Sequence, residues 1–385
     1  MKNPAPHPMA DTPRLKVDLQ ALAHNWHTAH AAFHGQHLGA VVKYDAYGLG
    51  MNTIARELYL LGCRNFWVEN ASEGLALRLL LDELGTRASR IFVLNGLAGL
   101  GALAAHDFAQ QRLIPVLTHV QELLALKGYA ARQGARLPVA VHLDTGLSRL
   151  GLQACDLPAL ASGSAIWQDL RPIAWVSHLG RFHEPQHRRC QAQRQLFEQW
   201  TAQLPPAERS LAASSCVFAP SHWHFDHARA GSALYGVCTT PQQPQPLQIV
   251  AQLQAPVLRV AEVPAGSEIG YGGKYLAASD MRIATVAIGY GDGLPFHWHQ
   301  PGCLWLAGRP APIVGGIAMG LLSLDVSAFA ADEIQPGMWA EVYGAQQPVE
   351  QLAAQAGIAT NALLLATARQ AQRSYTRATQ APAAA

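Results

Sequence analysis

Short runs of Val, Ile, Leu and Ala recur through the first two thirds of this chain, and stretches of helical periodicity separate several of them. The runs fall at 38–43, 66–69, 91–95, 113–117, 139–144, 173–178, 211–214 and 230–235. The helical patterns between them include 51–61, 71–84 and 191–204. Strands that are apolar on both faces and alternate with helices belong in a parallel sheet covered by helices. Eight such strands close a β/α barrel. After Tyr235 the pattern changes. Segments 247–253, 256–263, 281–288, 302–306, 311–317 and 339–343 are short and punctuated by Gly and Pro, which predicts a mainly antiparallel β-domain. The Pro-Gln run 241–246 reads as a linker, and helices are expected at 349–356 and 361–370. No repeat of solenoid period is present.

The expected fold class is therefore α/β: a (β/α)8 TIM barrel followed by a mainly antiparallel β-domain. The expected division is a tail with a strand joining the β-domain over 1–18, the barrel over 19–238, the β-domain over 239–375, and a disordered tail over 376–385. A length of 385 residues agrees with two domains of roughly 100–200 residues each. Half the residues are hydrophobic and 14% are charged, so the chain can bury a sizeable core. The net charge of +2, with no long basic run, gives no footprint for nucleic acid. Six scattered cysteines without a C-x-x-C pair exclude a disulfide scaffold or a zinc knuckle, and no metal is expected. Residues 1–13 lack the apolar stretch of a signal peptide, and every long apolar run is broken by Arg, Asp or Gly, so no membrane span and a cytoplasmic location are expected.

Candidate chemistry sits at the ends of the predicted strands. Lys43 closes Ala40-Val41-Val42-Lys43 and precedes Tyr44-Asp45-Ala46-Tyr47-Gly48-Leu49-Gly50. In a β/α barrel the C-terminal strand ends face the catalytic mouth. A lysine there is partly desolvated, which makes its amine a better nucleophile. A lone strand-end lysine is more often a surface residue. Here it has company: Asp144-Thr145-Gly146-Leu147-Ser148-Arg149-Leu150-Gly151 follows one run, Ser177-His178 and Ser214 end others, and Arg229 precedes the last.

In these motifs and their order the chain resembles the alanine racemases, barrel enzymes of pyridoxal 5'-phosphate. The resemblance runs from about Leu15 to Tyr375. It continues through Phe225-Asp226, Arg229-Ala230-Gly231 and Leu234-Tyr235-Gly236. In the β-domain it takes in Ile269-Gly270-Tyr271-Gly272 and Ile288-Gly289-Tyr290-Gly291-Asp292-Gly293. It implies a two-base amino-acid racemase. Lys43 carries the cofactor and acts as one catalytic base, and Tyr271 is the second, on the opposite face of the substrate α-carbon. Arg229 faces the pyridine nitrogen, with His178 beside the ring. Tyr47, Ser214, Gly231 and Ser232 bind the phosphate. Arg149 reaches the phenolic oxygen and the substrate carboxylate, Met319 offers a backbone contact to that carboxylate, and Tyr290 lines the substrate entrance. The resemblance also implies a homodimer in which each copy supplies Tyr271 to the other, with a small amino acid as the only other partner.

Several residues depart from the family pattern. Tyr44 and Leu49 replace the usual small residue and histidine after the lysine, and His142 stands where a carbamylated lysine often does. Gly320 replaces an acidic residue after the methionine, and Thr360 replaces a phosphate-binding tyrosine. The last two changes predict a roomier, less polar pocket. The expected activity is interconversion of L- and D-alanine, and the alternatives are racemisation of a larger amino acid and a non-racemising relative that binds the cofactor. Decarboxylation and aldol cleavage on the same scaffold are disfavoured. The first has no use for a second base, and the second needs a metal cluster near the C-terminus that the sequence lacks.

Overall fold

The computed structural model describes residues 11–97, 104–238 and 246–377. The described residues form two eight-stranded sheets, and contacts divide the chain into two units. One comprises residues 22–46 and 50–247; the other comprises 1–21, 47–49 and 248–385.

The larger unit is the parallel sheet. Its strands are β2 (His37–Val41), β3 (Asn65–Val68), β4 (Arg90–Val93), β5 (Leu113–Leu117), β6 (Leu137–His142), β7 (Leu170–Val176), β8 (Glu208–Ser210) and β9 (His227–Ala230); β1 belongs to the other sheet. They pair in parallel in the order β8-β7-β6-β5-β4-β3-β2-β9. The ring closes between β8 and β9 by the parallel bridge Ala213–Arg229, with the Arg229 N–H donating to the Ala212 carbonyl. Strands β3 and β5 are buried along their whole length, which is why they read as unbroken apolar runs. Helices Met51–Leu60, Ala71–Glu83, Val120–Gln133 and Arg188–Thr201 pack the outside. Gly39 in β2 is dictated by a close approach: a Cβ there would meet the Trp67 indole nitrogen at 2.7 Å and the His227 ring at 2.8 Å.

The last two apolar runs behave differently from expectation. The strands end at Ser210 and Ala230, and Ser214–Phe218 and Ser232–Tyr235 are short 3-10 turns. Both turns are largely buried, so hydrophobicity alone extended them as strand.

The other unit contains β1 (Arg14–Asp18), β10 (Ala251–Val263), β11 (Met281–Val286), β12 (Cys303–Leu306), β13 (Arg309–Val314), β14 (Leu322–Asp325), β15 (Trp339–Tyr343) and β16 (Gln372–Thr376). All pairs are antiparallel except β1–β16. The long β10 pairs β1 and β15 along its first half and β11 along its second, curling the sheet. The tail expected over 376–385 begins inside β16 at Thr376; 378–385 lie outside the described residues, as do 1–10 of the N-terminal tail and most of the predicted linker. No helix among the described residues is long and apolar enough to cross a membrane.

Candidate active site

Lys43 follows β2 and opens an unusual turn. Tyr44, Asp45, Ala46 and Tyr47 all have φ between 51° and 59°. For residues with a Cβ this left-handed conformation costs roughly 1–2 kcal/mol each, so neighbouring groups must hold it. The Ala46 N–H donates to the Val42 carbonyl and the Gly50 N–H to the Asp45 carbonyl. The Asp45 carboxylate accepts the Met51 N–H at 2.7 Å. Glu73 ties two strand ends together: its carboxylate accepts the Tyr44 N–H at 2.7 Å and the Glu69 N–H at 2.8 Å. Strain of this kind, fixed by surrounding contacts, is typical of functional sites. Within the second unit, Gly48 and Leu49 are anchored by Arg373 and the Tyr375 hydroxyl, which donate to their carbonyls. The Lys43 ammonium pairs with Glu69 at 2.9 Å.

The strand ends bring together several of the residues singled out from sequence. Arg229, on β9, is 6% exposed. Its guanidinium donates to the Ser210 carbonyl (2.7 Å), the Ser210 hydroxyl (2.6 Å) and the Ser177 carbonyl (2.6 Å), and approaches His178 Nδ1 at 3.5 Å. It also lies 5.5 Å above the Trp67 ring. Burial lowers its pKa to about 10, so it remains charged at neutral pH. Because Arg229 can only donate, the nitrogen of His178 that faces it is the acceptor and the imidazole proton belongs on Nε2. Burial first, then the charges of Arg229 and Arg149, and further those of His142 and Lys43, hold His178 down to about 3. His142, at the end of β6, is likewise lowered to about 4 by burial and by Arg229 and Arg149.

The Arg149 loop is built by Asp144, whose carboxylate accepts the N–H groups of Gly146, Leu147 and Ser148, each at 3.0 Å. Thr145 and Ser177 share a hydroxyl contact at 2.8 Å, and Gln193 bonds the His178 carbonyl and the Gly180 N–H. Gly151 closes the loop at φ 117°, where a Cβ would meet the Asp144 nitrogen at 2.8 Å. Ser214 and Gly231 also meet, the Gly231 N–H donating to the Ser214 hydroxyl at 2.8 Å, and Ser232 opens the following turn.

Tyr271, Tyr290 and Met319 lie in the second unit. Tyr271 sits on a turn between Gly270 (φ 77°) and Gly272 (φ 74°) and is 79% exposed. Tyr290 and Met319 are drawn together by the backbone: the Tyr290 N–H donates to the Ala318 carbonyl and the Gly291 N–H to the Met319 carbonyl. Gly289 permits this contact, since a Cβ there would collide with the Ala318 and Met319 carbonyls. Loop 315–316 also packs against the Tyr271 turn, with Gly315 abutting Ile269 and Gly270 abutting Gly316. Gly320 faces open space, nothing lying within 4 Å of where its Cβ would be, and Thr360 opens the helix Thr360–Gln370.

Sequence reading did not single out Glu69, Glu73, Trp67 or Ser210. Glu69 ends a predicted strand and could have been found by the rule that found Lys43. Glu73 and Ser210 act on backbone groups distant in sequence, which no local pattern reports.

A second polar cluster lies at the opposite, N-terminal ends of the strands. Glu208 is paired with Arg90 at 2.7 Å and with His227 Nδ1 at 3.1 Å, and the Trp67 indole donates to His227 Nε2 at 3.2 Å. Burial pushes the Glu208 carboxyl up, but hydrogen bonds from His227 and Arg90 outweigh it and leave it at about 2. Burial outweighs Glu208 in turn at His227, which falls to about 4. His227 is therefore neutral above that pH and serves Glu208 as an N–H donor. The histidines make a stability prediction. An unfolded histidine takes its proton near pH 6.5, whereas His142 and His227 resist it until about 4 and His178 until about 3. The unfolded chain binds more protons in this window, so stability falls as pH drops through it, by on the order of 1–3 kcal/mol per histidine. Urea unfolding at pH 7, 6 and 5 should show a falling midpoint, with a shallower fall in His227→Gln. A midpoint independent of pH would refute the buried neutral state.

The residues fit a pyridoxal phosphate. A buried guanidinium whose acceptors are all neutral, with no carboxylate pairing it among the described residues, suits an unprotonated ring nitrogen. A primary amine stands among strand ends that also carry Arg149 and the Ser214–Gly231 pair.

A parallel barrel that presents a lysine, two arginines and a neutral histidine at its C-terminal rim, with a separate antiparallel β-unit, defines a class of cofactor-dependent enzymes. Comparison with known proteins narrows it. The alanine racemase N-terminal domain model matches residues 17–239 and the C-terminal domain model residues 250–375, and the chain belongs to the alanine racemase family. It is 34% identical over 371 residues to a catabolic alanine racemase of Agrobacterium fabrum, covering 96% of this chain and 94% of the relative. It is 35% identical over 365 residues to an alanine racemase of Rhodospirillum rubrum, covering 94% and 96%. Among solved structures, the alanine racemase of Bartonella henselae with covalently bound pyridoxal phosphate aligns with a TM-score of 0.88 at 30% identity, covering 95% of this chain and 99% of that one.

Proposed function

We propose that this chain is a pyridoxal-phosphate-dependent alanine racemase, an isomerase that interconverts L- and D-alanine with Lys43 and Tyr271 as its two bases. The observation that carries the reading is the rim of the barrel, where Lys43 stands with the buried, carboxylate-free guanidinium of Arg229 and neutral His178. When bound, the cofactor withdraws electrons from the substrate α-carbon and makes its proton removable.

The chain's residues do the rest. Lys43 Nζ holds the cofactor covalently and exchanges a proton with one face of the α-carbon. The Tyr271 hydroxyl exchanges a proton with the other face, so that removal by one and return by the other inverts the centre. Arg229 would direct an N–H at the ring nitrogen and, being unable to give up its proton, would leave that nitrogen unprotonated and moderate the ring's electron withdrawal. His178, neutral at working pH, accepts from Arg229 and fixes its plane. Tyr47, Ser214, Gly231 and Ser232 bind the phosphate. Arg149 and the Met319 backbone hold the carboxylate, and Tyr290 borders the entrance.

Tyr271 is contributed by a second copy of the chain. Its 79% exposure, beside Met319 at 66% and exposed Phe296 and Leu321 on the same unit, leaves apolar surface for such a partner to cover. This reading requires a homodimer. A variant held monomeric throughout the assay is expected to lose nearly all racemisation, and full activity in that monomer would rule out the shared site. The open surroundings of Gly320 favour a second reading, racemisation of a larger amino acid. Chiral chromatography of an L-amino-acid panel after incubation with the holoenzyme decides. Turnover of alanine supports the first reading, and turnover of larger residues with alanine inert supports the second.

A further inference from the structure

The floor of the barrel, at the N-terminal strand ends away from Lys43, contains a cavity of about 290 Å³. Among the described residues that line it, five are arginines, Arg78, Arg87, Arg90, Arg112 and Arg171, and none is Asp or Glu. Two of these charges are met from outside the lining, Arg90 by Glu208 and Arg112 by Asp82. Among the described residues, Arg78, Arg87 and Arg171 have no carboxylate partner.

Arg78 is the unusual one. It projects from the helix Ala71–Glu83 and is 1% exposed. Its Nε donates to the Gln111 carbonyl, and its Nη2 to the Ser89 and Arg112 carbonyls, which fixes the guanidinium plane. Among the described residues its Nη1 has no acceptor and the Ser89 hydroxyl has no partner, and solvent reaches neither. A buried donor left unpaired is costly, and more so on a charged group. Burial first, then the Arg112 charge, disfavour the Arg78 cation against the opposing pull of Asp82. An anion in the cavity would offset this buried charge. The remainder of the cavity is apolar, formed by Phe108 and Leu126 from two helices and by Leu137 and Ile173 from β6 and β7.

We propose that this cavity is a second ligand site, separate from the catalytic mouth, for a small organic carboxylate: its anionic head lies against Arg87 and Arg171, with the buried charge of Arg78 behind them, and its apolar body against Phe108, Leu126 and Ile173. Guanidinium groups match carboxylates in planar, charge-assisted pairs. A volume near the lower end of ligand pockets suits a molecule of about ten heavy atoms. The cation excess excludes amines, and the apolar half separates an organic acid from a bare inorganic anion.

Benzoate is a suitable probe. Binding is measured by calorimetry on the holoenzyme in saturating, pre-equilibrated DL-alanine, which keeps the catalytic mouth occupied. The comparison is the double variant Arg87→Gln/Arg171→Gln, both exposed rim positions. The expected result is one benzoate site per chain that survives saturating alanine. It should weaken at least tenfold in the double variant and bind inorganic phosphate at least tenfold more weakly. Equal affinity in the variant, benzoate binding that alanine abolishes, a preference for phosphate, or no binding at all would each overturn the proposal.

Discussion

Replacing Lys43 by alanine is expected to remove covalent attachment of the cofactor and to lower racemisation by on the order of 10⁴-fold or more. The size follows from two losses at one residue. Lys43 is the amine that the strained turn after β2 delivers to the rim, and in the proposed mechanism it is also one of the two proton carriers. The fold should survive, because Lys43 is partly exposed and its ion pair is to Glu69, itself partly exposed. Such pairs contribute about 1 kcal/mol or less to stability. Borohydride reduction followed by intact mass measurement checks the first loss. The wild-type chain should gain one cofactor mass and Lys43→Ala none. A reduced adduct on the variant, or racemisation within tenfold of wild type, would remove Lys43 from its role.

Tyr271→Phe is expected to separate exchange from inversion. The change deletes one oxygen from a side chain that is 79% exposed on its own unit, so folding and cofactor attachment should be untouched. Loss of a general base typically costs 10²–10⁴-fold, and racemisation should fall by about that much in both directions. One enantiomer should still exchange its α-proton through Lys43 while returning with the same hand. That retained, one-sided exchange is the signature of a two-base site with one base missing. Wild-type racemisation in this variant would mean that Lys43 serves both faces or that another group replaces the tyrosine.

The features legible in the sequence share a physical cause. Strands β2 to β7 are buried on both faces, so they print as apolar runs, and the residues just past them, Lys43 and His178, stand out as polar interruptions. Where burial is not uniform the print fades. Strand β14, Leu322–Asp325, alternates buried and half-buried positions over only four residues. Strand β16, Gln372–Thr376, is exposed throughout and exists because β1 offers it a parallel edge. Strand β10 reads as two segments because Pro256 interrupts the pattern. The chain instead runs through it, with register shifts on either side at 253/254 and 257/259, which relieve the missing N–H.

The site shows the same contrast. Lys43, Arg149, His178, Ser214 and Arg229 are singled out by motif and strand position. The left-handed turn 44–47 is not, because Tyr and Ala do not signal positive φ and a single Asp among them marks no run of it. The Glu73 carboxylate that supports it is a tertiary contact. The same holds for Arg78: a helical arginine gives no hint in sequence that it is buried beneath an arginine-lined cavity.

The central claim is inversion at the α-carbon by two bases of this chain. Its most direct test is incubation of the holoenzyme with L-alanine and, separately, D-alanine in D₂O, following loss of the α-proton by NMR beside chiral chromatography. Deuterium should enter the α-position from either enantiomer, and both solutions should converge on the racemate. Exchange with complete retention of configuration, or no exchange in a chain that carries the cofactor on Lys43, would contradict it.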